Sequence, residues 1–281
     1  MNVLVTGTSG LIGGYIYSEL KKTSLHNVFA ASRELLPDLA DSNTSNLLEK
    51  LGTIDIIIHC AAKIPVPGTA MGDAAETNKK IDLNIFKYCK KNDTKVIFMS
   101  GMSVYAQYGQ NVIIDETMPL LTNSETSSYF QEKVNSELLF MELSGTVVLR
   151  VSSPYGQTQK NSNVLKIFTE NVKQNNDICY HGTGGRTQDF VHGLDIASAV
   201  SCALRQSASG IFNIVSGEPI SMKQLAFLIA SLSPSYTGKI HSNNLDDLQE
   251  NFRANFSNER ANKILGWKPI ISLSTGISEL L

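Results

Sequence analysis

A doubly wound parallel α/β sheet carrying a small C-terminal α/β lobe is the fold class this sequence predicts, on three observations. Short, almost wholly apolar runs alternate with amphipathic segments through the first half of the chain. Runs of that kind mark parallel strands covered by helices on both faces. A glycine-rich turn joins the first run to a helical pattern, and beyond about residue 155 the alternation breaks into shorter pieces.

Taken in order, "NVLVTG", "NVFAAS", "IDIIIHCAA", "TKVIFMSG" and "GTVVLRVS" read as strands. Helical patterns lie between them at about Leu11 to Lys22, Thr44 to Leu51, Asp73 to Lys91 and Ser124 to Leu143. Such alternation builds βαβ units. The second half offers helices at Val164 to Gln174 and Leu194 to Leu204, short strands in "ICYHG" and "GIFNIVSG", and a helix after "PISMKQ". Gly266 and Pro269 stop a helix in "SNERANKILGWKP", and a last short helix runs to Leu281. Residues 1–155 are expected to form a dinucleotide-binding domain. Residues 156–281 are expected to form mainly a substrate-binding lobe, with some segments returning to the first domain.

The totals exclude several classes. The 281 residues are 42% hydrophobic and 18% charged, with a net charge of -2, as in an ordinary globular protein without an electrostatic case for nucleic acid. No apolar stretch approaches the roughly 18 residues of a membrane span, and the N-terminus shows no export signal, so a cytoplasmic protein is expected. Cys60, Cys89, Cys179 and Cys202 are widely spaced. Reduced thiols are expected rather than a disulfide framework, and no His, Asp, Glu or Cys set has metal-ligand spacing.

In "VLVTGTSGLIGG" the first strand ends at Thr6, and Gly7, Gly10 and Gly13 follow at three-residue intervals. The first glycine permits a tight turn, the second lets backbone approach a pyrophosphate, and the third allows helix and strand to pack closely. The helix N-terminus then offers free N–H groups to an anion. The second strand ends in "FAASRE", where an acidic residue would bind a ribose 2′-hydroxyl and an arginine a 2′-phosphate. Ser32 and Arg33 suit the phosphate, so NADP(H) is expected over NAD(H); for NAD(H), Glu34 or Asp38 would hold the ribose. In "YFQEK", Tyr129 and Lys133 are four residues apart and share a helix face. A free phenol is a poor acid or base at neutral pH. An ammonium and an oxidised nicotinamide nearby would draw its pKa toward neutrality.

These motifs together resemble the extended short-chain dehydrogenase/reductase superfamily, which includes the nucleotide-sugar epimerases, dehydratases and reductases. "DIIIHCAA" looks like its fourth strand, "VIFMSGMSVYAQYG" like the strand and loop beside the nicotinamide, and "DETMPL" like the acidic stretch before the catalytic helix. "VVLRVSSPYGQ", "GGRTQDFVHGLDIA", "IFNIVSGEPIS" and "LGWKP" resemble later segments. The resemblance implies a Rossmann-type fold, a Tyr129–Lys133 catalytic pair and a homodimer built on helices near 78–91 and 124–143. It places cofactor contacts on Gly7, Ser9, Gly10, Leu11, Ile12, Gly13, Ser32, Arg33, Asp38 and Leu39. Further contacts fall on Cys60, Ala61, Ala62, Asn78, Ser100, Ser152, Tyr129 and Lys133.

The pattern breaks in places. The family's third catalytic group, a Ser or Thr four residues before the Tyr of "SVY", falls on Gly101. Ser103, which flanks that glycine as Ser100 does, is the expected substitute, and Ser127 or Ser128 could also contribute. The dehydratases' Asp-Glu pair falls on Met102 and Ser103, which disfavours elimination. Ser153 stands where the family has Asn, and Gln188 where it often has Arg. Substrate contacts are expected at Ser103, Ser153, Arg186 and Arg253, with Lys160 a weaker candidate for a diphosphate. His59 is read as a core histidine, and His181 and His192 as packing residues. The expected activity is NADPH-dependent reduction of a nucleotide-activated 4-keto-6-deoxy sugar. The alternatives are an NAD-dependent 4-epimerase and a catalytically impaired NADP(H)-binding sensor or structural protein.

Overall fold

Each apolar run of the first half becomes a strand in the computed structural model, which describes residues 1–65, 71–105, 112–120 and 127–281. The strands are β1 (Asn2–Thr6), β2 (Asn27–Ala30), β3 (Ile56–His59), β4 (Lys95–Gly101) and β5 (Val147–Val151). They alternate with α1 (Leu11–Thr23), α2 (Thr44–Glu49), α3 (Met71–Asn92) and α4 (Ser128–Phe140). The expected helix start at Ser124 lies outside the described residues.

The second half contributes β6 (Ser153–Tyr155), α5 (Val164–Lys173), β7 (Ile178–Tyr180), β8 (Thr187–Gln188), β9 (Phe190–His192) and α6 (Gly193–Gln206). It continues with β10 (Gly210–Ile214), β11 (Ile220–Ser221), α7 (Met222–Ser231), β12 (Ile240–Ser242) and α8 (Leu273–Ser278). The helix expected before Gly266 is a widened π turn at Ala261–Leu265, closed by Gly266 in the left-handed region at φ 66°.

One sheet organises the chain, in the order β10-β5-β4-β3-β1-β2, with every pairing parallel. The segment resembling the family's fourth strand is therefore the third here. Residues 31–55 between β2 and β3 form turns and α2 but no strand. "GIFNIVSG" returns to the main sheet as its sixth strand instead of staying in the lobe. The chain leaves β1 for β2 on one side and comes back to β3 on the other. A crevice thus opens between the carboxyl ends of β1 and β3, where such sheets bind ligands.

Side chains of a strand point alternately to its two faces, and the apolar runs fill both. Val3, Val5, Ile58, Met99 and Leu149 pack with Ile16, Leu20, Ile196 and Val200 of α1 and α6. Leu4, Ile57, Phe98 and Val148 pack with Ile85, Phe86 and Phe140 of α3 and α4. A third cluster joins α5, α7 and α8 through Leu165, Phe168, Leu225, Ile229 and Ile277. The C-terminal segment is tied to α6. Trp267 Nε1 donates to the Asp195 carbonyl at 3.0 Å, and the Asp195 carboxylate accepts from the Ile270 and Ile271 amides. Among the described residues no helix is long and apolar enough to cross a membrane.

Among the described residues a buried arginine–glutamate pair lies inside this core. Arg150 of β5 donates from Nε to Glu137 Oε1 at 3.0 Å and from Nη2 to Oε2 at 2.6 Å, and its Nη1 meets the Tyr105 hydroxyl. Both charged side chains are at most 2% exposed. Removing one partner strands the other charge in the interior, at a cost of about 3–5 kcal/mol. Glu137→Gln is expected to lower stability by about that amount, read as a reduced urea midpoint. A loss under about 1 kcal/mol would show that water reaches Arg150.

Candidate active site

At the crevice, Gly7 has φ 69°, and a Cβ there would lie 2.7 Å from the Ala61 nitrogen. A Cβ on Gly13 would stand 2.4 Å from the Gly7 carbonyl oxygen. Both positions therefore exclude any side chain, one against the chain leaving β3 and one against the turn itself. The Gly10 amide donates to the Gly7 carbonyl at 2.9 Å. No side chain caps α1, and no acidic residue sits in its first turn. Its leading N–H groups, including those of Leu11 and Ile12, are left for an anion. A cleft of about 480 Å³ adjoins this turn, lined by Gly7, Thr8, Ser9, Ala31, Ser32, Arg33 and Lys160. Glycine cradle, uncapped helix and cation-lined cleft fit a dinucleotide. The Ser100 hydroxyl, buried at the C-terminal end of β4 with no protein partner among the described residues, adds a polar group that a ligand would satisfy.

Tyr129 and Lys133 project from the first turns of α4, which is capped by the Ser127 hydroxyl accepting from the Phe130 amide. Tyr129 is half-buried and Lys133 buried, its Nζ 5.0 Å from the centre of the Phe98 ring. Below them runs a continuous polar chain. The Cys60 and Ala61 amides donate to Thr6 Oγ1, which lies 2.8 Å from His59 Nδ1. His59 Nε2 meets Asp82 Oδ1 at 2.9 Å, and the Ser136 hydroxyl donates to Asp82 Oδ2 at 2.5 Å. Burial alone would raise the Asp82 carboxyl's pKa. His59, the Lys133 ammonium and Ser136 outweigh it and hold that carboxyl below its ordinary value.

This arrangement sets the protein's own part in the phenol's pKa, apart from any nicotinamide. Burial pushes the Tyr129 pKa up, and the Asp82 carboxylate pushes it further the same way. The Lys133 charge is turned toward Asp82, Cys60 and Phe98, so the chain alone keeps Tyr129 protonated. Ser103 lies in the 3₁₀ turn Met102–Tyr105, half-buried, with Oγ 3.5 Å from where a Cβ on residue 101 would sit.

Several expected contacts have other work. Both ends of the Asn78 carboxamide hold the Lys63 backbone, Oδ1 accepting at 2.7 Å and Nδ2 donating at 3.0 Å. Asn78 therefore shapes the loop after β3 instead of presenting a free amide. The Asp38 carboxylate accepts from the Ala40 amide in a local turn, and Leu39 packs on the core. Ser152 Oγ donates to Asp189, whose carboxylate also accepts from Ser216 and Gly217. Ser152 and Asp189 thus join β5 to the lobe, while the Ser153 hydroxyl accepts from Gln188. Arg186 pairs with Asp247 at 2.8 Å, and Arg253 donates to the Glu250 and Phe252 carbonyls. Lys160 lies in the cleft beside the glycine turn, not with these arginines. Both His59 ring nitrogens are engaged, as in a core residue. His192 Nδ1 accepts from the Leu194 amide at the start of α6.

Sequence reasoning missed Asp82, Ser136, Glu137 and Arg150, which seat α4. A signal was present for one of them: Glu137 follows Lys133 by four residues, as Lys133 follows Tyr129, so a second charge lay on the same helix face.

The sequence model of the NAD dependent epimerase/dehydratase family matches residues 3–215. The chain is 28% identical to the putative UDP-glucose 4-epimerase of Methanocaldococcus jannaschii, an alignment covering 99% of this chain and 97% of that one. It is 26% identical to the dTDP-4-dehydro-6-deoxyglucose reductase of Escherichia coli, covering 99% and 96%. The fold is similar to that of the UDP-glucose 4-epimerase of Thermotoga maritima solved with UDP-glucose. That likeness has a TM-score of 0.85 at 23% identity and covers 100% of this chain and 97% of that one.

A carboxyl with a depressed native pKa stabilises the fold above its unfolded value, about 3.9 for Asp, and loses that contribution as the pH falls through the native value. Asp82→Asn is therefore expected to cost most stability at neutral pH, with the gap to the parent narrowing below about pH 4. Urea midpoints at pH 7, 5 and 3 check this; a gap as large at pH 3 as at pH 7 would contradict it.

Proposed function

We propose that this chain, which belongs to the NAD dependent epimerase/dehydratase family, is an NADPH-dependent reductase of a nucleotide-activated 4-keto-6-deoxy sugar. The observation that carries the reading is the cleft at the end of β2. Arg33 and Lys160 line it, with Ser32 between turn and arginine, and no carboxylate is among its lining residues. An acidic group there would favour a ribose hydroxyl, whereas two cations favour a 2′-phosphate.

When bound, the reduced nicotinamide supplies a hydride to the carbonyl carbon. Tyr129 donates its phenolic proton to the carbonyl oxygen, and Lys133 holds the ribose hydroxyls. Ser103 offers a hydroxyl to the same oxygen. A phenol kept protonated by burial and by Asp82 begins in the state that reduction requires. Met102 and Ser103, in place of a carboxylate pair, leave an elimination without its acid and base. The E. coli relative named a dTDP-4-dehydro-6-deoxyglucose reductase supports the substrate class. In this reading the protein works in the cytoplasm as a homodimer paired through α3 and α4, which expose Leu83, Leu138 and Met141 at or just beyond their outer faces.

The relative named a putative UDP-glucose 4-epimerase favours a second reading. An epimerase would retain NAD(H) through purification and dialysis, while the reductase consumes added NADPH.

Tyr129→Phe is expected to leave the NADPH Kd nearly unchanged and to lower kcat by about 10²–10⁴-fold, followed as loss of nicotinamide absorbance with a panel of nucleotide 4-keto-6-deoxy sugars. Turnover that survived the change would remove Tyr129 as the donor and, with it, this mechanism. The parent's kcat for reduction is expected to stay level from neutral pH to about 9 and to fall only as the raised phenol titrates. A rate climbing steadily over that range would identify a phenolate base instead.

A further inference from the structure

We infer that Lys160, carried into the cofactor cleft from the far half of the chain, is a second cation for the 2′-phosphate of NADPH. The inference rests on the NADPH reading above and assigns part of it to a residue outside the dinucleotide-binding half. Lys160 lies in the loop between β6 and α5, yet its Nζ donates to the Ser9 carbonyl at 2.9 Å. Ser9 directly precedes Gly10 and lines the same cleft as Ser32 and Arg33. An ammonium has three donors and no acceptor. One is used on Ser9, which anchors the group at the rim and leaves two for an anion.

The loop bearing Lys160 is built into the fold. The Gln157 amide donates to the Tyr15 hydroxyl of α1 at 3.1 Å. Lys166 Nζ donates to the Gln159 and Lys160 carbonyls at 3.3 and 3.2 Å, drawing the loop back onto α5. Among the described residues neither Lys160 nor Arg33 is within ion-pairing distance of a carboxylate. Two uncompensated cations facing one cleft repel each other, and a dianion between them removes that repulsion. The adenosine ribose reaches this place because the turn after β1 and the end of β2 meet there. The pyrophosphate would be held by the free N–H groups at the start of α1.

Calorimetric titration of the whole chain with NADPH and with NADH tests the assignment. Lys160→Gln is expected to raise the NADPH Kd about five- to tenfold while leaving the NADH Kd within about twofold, as for one charge-assisted contact to the extra phosphate. Lys160→Arg should restore most of the lost affinity. Equal weakening of both cofactors would make Lys160 a brace for the glycine turn and overturn the assignment, as would no change in either. Arg33→Gln, titrated in parallel, separates the two layers. A parent chain that bound NADPH no tighter than NADH would remove the NADPH reading and Lys160's part together. If Arg33→Gln abolished the preference and Lys160→Gln preserved it, Lys160's part alone would fall.

Discussion

Two buried carboxylates, Asp82 and Glu137, hold α4 against the sheet, and the rest of the site depends on that seat. A charge in the interior is tolerable only when paired and hydrogen-bonded in a fixed geometry. Glu137 meets Arg150 of β5, and Asp82 of α3 meets Ser136 of α4 and His59 of β3. Sliding or rotating α4 would break both sets at once. Apolar packing by Val134 and Phe140 would resist such motion far less, because apolar contact is not directional. Tyr129 and Lys133 inherit their placement from these contacts one and two turns further along the helix.

The same chain couples the helix to the phosphate-binding turn. Thr6 closes β1 immediately before Gly7, and its hydroxyl gathers the Cys60 and Ala61 amides while facing His59. The amides donate to Thr6, and the His59 ring links Thr6 Oγ1 to Asp82 Oδ1. The backbone crossing Gly7 and the helix bearing Tyr129 are thus two ends of one polar network. Asp82 also keeps Tyr129 protonated by repelling a phenolate. Its position therefore bears on protonation as well as on stability.

The fold was largely legible because its signals are local. β-branched runs on both faces, glycines at fixed intervals and i, i+4 spacing each state a constraint that operates within a few residues. The site was legible where function constrains backbone, at Gly7, Gly10 and Gly13. It was less so where side chains from distant segments meet. Asn78 and Ser152 stood at positions read as cofactor contacts, but spatial neighbours engage their side chains, Lys63 and Asp189. Nothing local distinguishes such an amide or hydroxyl from one left free. The protein's own influence on the Tyr129 pKa was only half visible: Lys133 stands four residues away in the sequence, whereas Asp82 is 47 positions upstream by number. Absent strands were equally hidden, since the turns between β2 and β3 leave an edge that only pairing reveals.

Gly101 ends β4 without a side chain, and the Ser103 hydroxyl lies beside it. The chain turns into a 3₁₀ segment directly after Gly101. That tight winding folds the Ser103 side chain back, so its Oγ stands 3.5 Å from the point a residue-101 Cβ would occupy. Such a distance is ordinary contact, so the hydroxyl occupies space beside the one that a Ser or Thr at 101 would have used. In the reading proposed above, Ser103, held by the same strand end that presents Ser100, is the hydroxyl that shares a carbonyl oxygen with Tyr129.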